Sequence, residues 1–76
     1  GNEFKQFGGF LAATAIHIGK NEEIIQTHVK AIRWLKQQGY MIDGPISEEY
    51  IVSPIDVSDE DQHITKIIIP IKKAGK

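Results

Sequence analysis

Residues 10–39, FLAATAIHIGKNEEIIQTHVKAIRWLKQQG, carry the reading that decides the fold. The first nine alternate along a strand, with Phe10, Ala12, Thr14, Ile16 and Ile18 on one face and Leu11, Ala13, Ala15 and His17 on the other. Both sets are largely apolar, which predicts a central strand covered on two sides. Ala12, Ala13 and Ala15 are small and leave room for something bulky, either a helix or a ligand. Gly19 ends the strand. After it the period changes: Ile24, Ile25, Val29, Ile32 and Leu35, with Ala31 between, recur at helical spacing. Lys30, Arg33, Lys36 and Gln37 take the other side. Asn21 is placed to cap the helix, Glu22 and Glu23 complement the positive end of its dipole, and Gly39 suits the left-handed position past its end.

Beyond the helix, the short apolar run Tyr40-Met41-Ile42 leads into a Gly44-Pro45 turn. The spacing predicts a second strand over 48–53, with Glu48, Tyr50 and Val52 on one face, stopped by Pro54. Residues 55–62 include Asp56, Asp59, Glu60 and Asp61 and read as a solvated loop. A third strand over 63–71 sets Thr65, Ile67, Ile69 and Ile71 against Ile64, Lys66, Ile68 and Pro70. Pro70 cannot donate to a ladder and so is expected at a strand end or an edge. Residues 1–9 read as a lead-in segment and 72–76 as a polar tail, within a single domain over 1–76. The expected class is α+β: one β-α-β-β unit, an antiparallel sheet with its helix on one face. The opposite face then has nothing in this chain to cover it.

Composition narrows the function classes. A chain of 76 residues has a thin core, so association would help it. The net charge is −1, with no basic patch interleaved with aromatics, which argues against nucleic acid as a direct partner. There is no cysteine, so thiol chemistry and thiolate metal sites are out, as fits a cytoplasmic protein. No apolar run is long enough to span a membrane, and no signal-peptide pattern is visible.

Several pieces together resemble the C-terminal half of the GyrI-like, or AraC-type effector-binding, domain. They are His17-Ile18-Gly19, Ile32-Arg33-Trp34-Leu35 with Gly39-Tyr40, the G-P-x-x-E-x-Y segment from Gly44 to Tyr50, Pro54, and Thr65-Lys66-Ile67-Ile68-Ile69-Pro70-Ile71. The resemblance covers the chain from about Ala13 to Lys72. It implies two β-α-β-β units about a pseudo-twofold axis, helices on one side and a ligand cleft on the other. It also implies lipophilic, often cationic ligands, multidrug binding, and a relation to bacterial transcription regulators. The family's cleft acid maps onto Glu48, with Tyr50 beside it. Three features depart from the pattern. Only one unit is present, Lys20-Asn21 replaces a Pro-Tyr pair, and Lys66 stands where an acid is common.

The ligand-binding candidates are therefore Glu48 and Tyr50, a carboxylate for a cationic group and a ring to stack on it. Against them stand a solvated strand acid, with Glu49 beside it, and a tyrosine that packs on a partner chain. No catalytic residue, metal or cofactor is assigned. His17 reads as structural, His17, His28 and His63 lack ligand spacing, and Trp34 reads as packing. Three functions stay open: a small-molecule effector-binding module whose cleft forms by homodimerisation, a hydrolase of strained electrophiles using Glu48 and Tyr50, and a protein-interaction modulator of a larger target.

Overall fold

The structure, a computed structural model, describes residues 2–52 and 59–75. Its centre is the strand predicted at Phe10–Ile18, here β2, which lies between two others. On one side it pairs with β5 (Ile64–Lys73), running antiparallel from Leu11↔Ile71 to Ile18↔Ile64. On the other it pairs with β1 (Asn2–Phe7), from Phe7↔Phe10 to Asn2↔Ala15. The lead-in segment is thus a strand, turned back on β2 through Gly8-Gly9. Its sequence hides this because an edge strand with one side in water alternates mostly among polar residues.

Helix α1 (Ile24–Gln37) follows β2 and crosses the sheet. Two short strands then line the far side of β5 end to end: β3 (Tyr40–Ile42) against Ile71 to Lys73, and β4 (Ser47–Val52) against Ile64 to Ile68. β2, α1 and β4 therefore form a split β-α-β unit with β5 inserted between its strands. The architecture is the expected α+β fold, an antiparallel five-stranded sheet with one helix on one face. β5 runs on to Lys73, so part of the predicted tail belongs to it. Of the acidic loop, Glu60–Gln62 make a 3₁₀ turn capped by the Asp59 side chain, which accepts from the Asp61 amide at 3.0 Å. The predicted stop at Pro54, the strand end at Ser53 and the loop residues Ile55 and Asp56 lie outside the described residues.

The core lies between α1 and the face of the sheet formed by Ala13, Ala15, Ile67, Ile69 and Ile71, onto which Ala31 and Leu35 pack. The small alanines of β2 make room for the helix and for an aromatic group. Trp34 stacks on Phe4 with ring centroids 4.5 Å apart, and Tyr40 lies 4.8 Å from the same ring. At its end the helix turns off where predicted, with Gly39 at φ +90°, a conformation that side chains resist.

Four expectations change. The stripe of α1 that packs on the core is Ile24, Ala31, Ile32 and Leu35, while Ile25 and Val29 are 70% and 46% exposed. Both sets fit a 3.6-residue period, and Ala31 selects one because its small side chain allows close approach to the sheet. Asn21 does not cap α1: Asn21–Glu23 form a 3₁₀ turn with no side-chain cap, and α1 begins at Ile24. The other face of β2 is covered only in part: Ala12 and Thr14 are buried, while Phe10, Ile16 and Ile18 are exposed.

Pro70, finally, sits inside β5 rather than at an end or edge. Its carbonyl accepts from the Asp43 amide at 2.7 Å, on the β3–β4 side. A strand residue's N–H points the same way as its C=O, so the missing donor falls in the break between β3 and β4. There Gly44 lies against the Pro70 ring, where an added Cβ would meet ring carbons at 3.2 and 3.3 Å.

Candidate functional site

Glu48 and Tyr50 project from the same face of β4, as their spacing requires. Register says which face it is. Glu48 lies opposite Ile67 and Tyr50 opposite Thr65, and both partners are buried beneath α1. The two candidates therefore stand on the helix side of the sheet, next to α1. The resemblance implied a cleft on the side away from the helix; Glu49, opposite Lys66, is the β4 acid on that side.

On the helix side Glu48 meets a residue the sequence did not connect with it. His28 Nε2 donates to Glu48 Oε2 at 2.9 Å, with the two side chains 21% and 31% exposed. The Tyr50 hydroxyl faces the other carboxylate oxygen, Oε1, at 3.5 Å, a long and weak contact. The result is a row of imidazole, carboxylate and phenol at the sheet margin, with Oε1 its least satisfied acceptor. Tyr50 is 56% exposed, so its ring is open to a ligand. Twenty residues separate His28 from Glu48 in sequence, and no local spacing signals the contact.

Helix geometry extends the site. At about 100° per residue, Ile25, Val29 and Ile32 lie on the flank of α1 next to His28. Thr27 and Trp34 lie on the opposite flank, where Thr27 bonds His17 and Trp34 stacks on Phe4. An exposed apolar ridge thus stands over the β4 side of the molecule. Val29, Ile32, Arg33 and Lys36 line an open groove of about 310 Å³ there. This groove runs along the helix rather than around Glu48.

β4 is also an edge. Among the described residues it pairs only with β5. Since Pro70 turns its carbonyl toward this side, Lys66 and Ile68 do so too, and their partners Ser47 and Glu49 point inward. The backbone N–H and C=O groups of Glu48 and Tyr50 consequently face outward.

The other sequence candidates are structural. His17 is buried; Nε2 donates to the Lys20 carbonyl at 2.7 Å, and Nδ1 lies 2.7 Å from the Thr27 hydroxyl. It ties the end of β2 to the start of α1. Trp34 packs, as described. No three His, Asp or Glu side chains among the described residues converge to hold a metal ion. No helix among them is long and apolar enough to cross a membrane.

Comparison with known families agrees with the sheet-and-helix unit. The model of the GyrI-like small molecule binding domain matches residues 1–72. The chain belongs to this family. The match takes in β1 as well as the β-α-β-β unit, so the N-terminal strand is part of the domain. No curated protein and no solved structure gives a significant match. A GyrI-like chain is a small-molecule binding domain, and the row on β4 is its candidate binding site.

Proposed function

We propose that this protein binds lipophilic cationic small molecules, with Glu48 as counter-charge and Tyr50 as stacking surface, in a cleft completed by a second copy of the chain. The observation that carries the reading is the half-exposed Glu48 carboxylate, with one oxygen held by His28 and the other turned toward an open tyrosine ring. A partly desolvated carboxylate beside an aromatic face is a fit receptor for a delocalised cation. The relation to ligand domains of bacterial transcription regulators, and a cytoplasmic setting, belong to this reading as inferences from family resemblance.

The second copy joins along β4. The uncovered face of the sheet and the Glu48–Tyr50 pair lie on opposite sides, so pairing through that face would leave the two acids apart. Antiparallel pairing of two β4 strands about a twofold axis uses the outward backbone groups and keeps both helices on one side. Two Glu48–Tyr50 pairs then floor a groove walled by the Ile25–Val29 ridges. Titrating a fluorescent aromatic cation tests this reading: saturable binding is expected, weakened about tenfold or more by Glu48→Gln through loss of a partly buried charge pair. Binding unchanged by Glu48→Gln would remove the acid from the site.

A hydrolase reading draws on one observation, the His28–Glu48 contact, which resembles an acid–base pair. Turnover of a reactive cyclopropane by the wild type, lost in Glu48→Gln, would favour it over binding alone.

A further inference from the structure

The contact that holds Glu48 also limits what it can recognise. His28 Nε2 donates to Oε2 at 2.9 Å, which leaves Oε1, beside the Tyr50 hydroxyl, as the less engaged oxygen for a ligand to approach. Imidazole and imidazolium both present an N–H to Oε2, so the geometry is the same in either form. The charge is not. With an imidazole the row carries the full carboxylate charge; with an imidazolium it is neutral overall.

From α1 itself, the side chains one turn either side of His28 are apolar: Ile24, Ile25, Ala31 and Ile32. From β4, the titratable groups facing it are Glu48 and Tyr50. From β5, the residues opposite these two are Ile67 and Thr65, which do not titrate in this range. Among the described residues whose contacts with the row are seen, the charge-bearing pair is His28 and Glu48.

We propose that His28 is the charge-selectivity residue of the Glu48 site. This rests on the reading of Glu48 as ligand-binding and deepens it. With His28 neutral, the site prefers a cation. With His28 protonated, the ligand's charge must compete with an internal ion pair, and preference shifts to uncharged aromatics that donate a hydrogen bond to Oε1. The sign follows from the charge: cation affinity is lower where His28 is an imidazolium than where it is a neutral imidazole. A neutral ligand shows little change, because it gains nothing from the carboxylate's net charge.

The test uses two fluorescent probes of similar size, N-methylacridinium, a permanent cation, and acridone, which is uncharged and carries one N–H. Each is titrated into the full chain at about pH 5.5 and about pH 8, on either side of the usual histidine range. Wild type, His28→Gln and Glu48→Gln are compared, with far-UV circular dichroism confirming that each is folded. The wild type is expected to bind the cation about two- to fivefold more tightly at the higher pH, the size of a part-exposed ion pair. His28→Gln keeps a neutral donor, so it should bind the cation equally well at both pH values and more tightly than wild type at the lower one. Acridone binding to the wild type and to His28→Gln should vary less than twofold between the two pH values. A pH dependence that survives in His28→Gln, or is missing from the wild type, overturns the role of His28 while leaving Glu48 in place. Cation binding unaltered in Glu48→Gln, or absent from the wild type at both pH values, overturns the Glu48 site and this proposal with it.

Discussion

His17 shows how one polar residue can fix a chain reversal. Its two ring nitrogens meet the Lys20 carbonyl and the Thr27 hydroxyl, each at 2.7 Å, inside a buried corner. The Lys20 carbonyl can only accept, so Nε2 carries a proton. Replacing His17 by alanine leaves both partners short of a bond and opens a gap, at a cost of about 1–3 kcal/mol. Urea unfolding of His17→Ala should show this, and Thr27→Val, which removes one bond only, should cost about 1 kcal/mol. A loss below about 0.5 kcal/mol for His17→Ala would mean that the corner is held by other contacts. The structural role of His17 was legible because no nucleophile accompanies it in sequence. The His28–Glu48 contact was not, since it joins residues of different elements whose juxtaposition depends on how the helix lies on the sheet.

At the scale of elements, the helix was legible in existence and at its C-terminal end but not in its start or its orientation. In sequence, Ile25 and Val29 belong to the hydrophobic stripe as well as Ile24, Ala31, Ile32 and Leu35 do. What separates them is the partner surface: the alanines of β2 admit a close helix, and Ala31 and Leu35 meet them. The two sets should respond differently. Leu35→Ala removes a fully buried side chain and should destabilise by about 2–5 kcal/mol. Ile25→Ser changes a side chain that is 70% exposed and should stay within about 0.5 kcal/mol. Thermal or urea unfolding of both variants checks the assignment, and equal losses would contradict it. β1 was illegible for a related reason: an edge strand shows the core only Phe4, and one phenylalanine among polar residues does not make a pattern.

For the molecule as a whole, the sequence reading saw correctly that one helix covers one side of the sheet. It placed the candidate acid relative to its neighbours on the strand but could not place the strand's register against β5. Register decides which face Glu48 occupies, and it puts the open face and the acid on opposite sides. The open face keeps Phe10, Ile16 and Ile18 exposed, while among the described residues β4 keeps an unpaired edge. The two routes to a dimer can be told apart. Tyr50→Pro removes an outward donor without touching the β5 ladder, so it should leave the monomer folded and abolish association. Ile18→Lys alters the open face alone and should leave association intact. Sedimentation velocity on both variants distinguishes the routes; the reverse pattern would assign the interface to the open face.

The central claim is that two chains share one cation-binding groove floored by their Glu48 and Tyr50 side chains. Its most direct test is calorimetric titration of the full chain with N-methylacridinium at neutral pH. The account predicts one cation bound per two chains, with heat lost in Glu48→Gln. One cation per chain, or a stoichiometry and affinity that Glu48→Gln leaves unchanged, would contradict it.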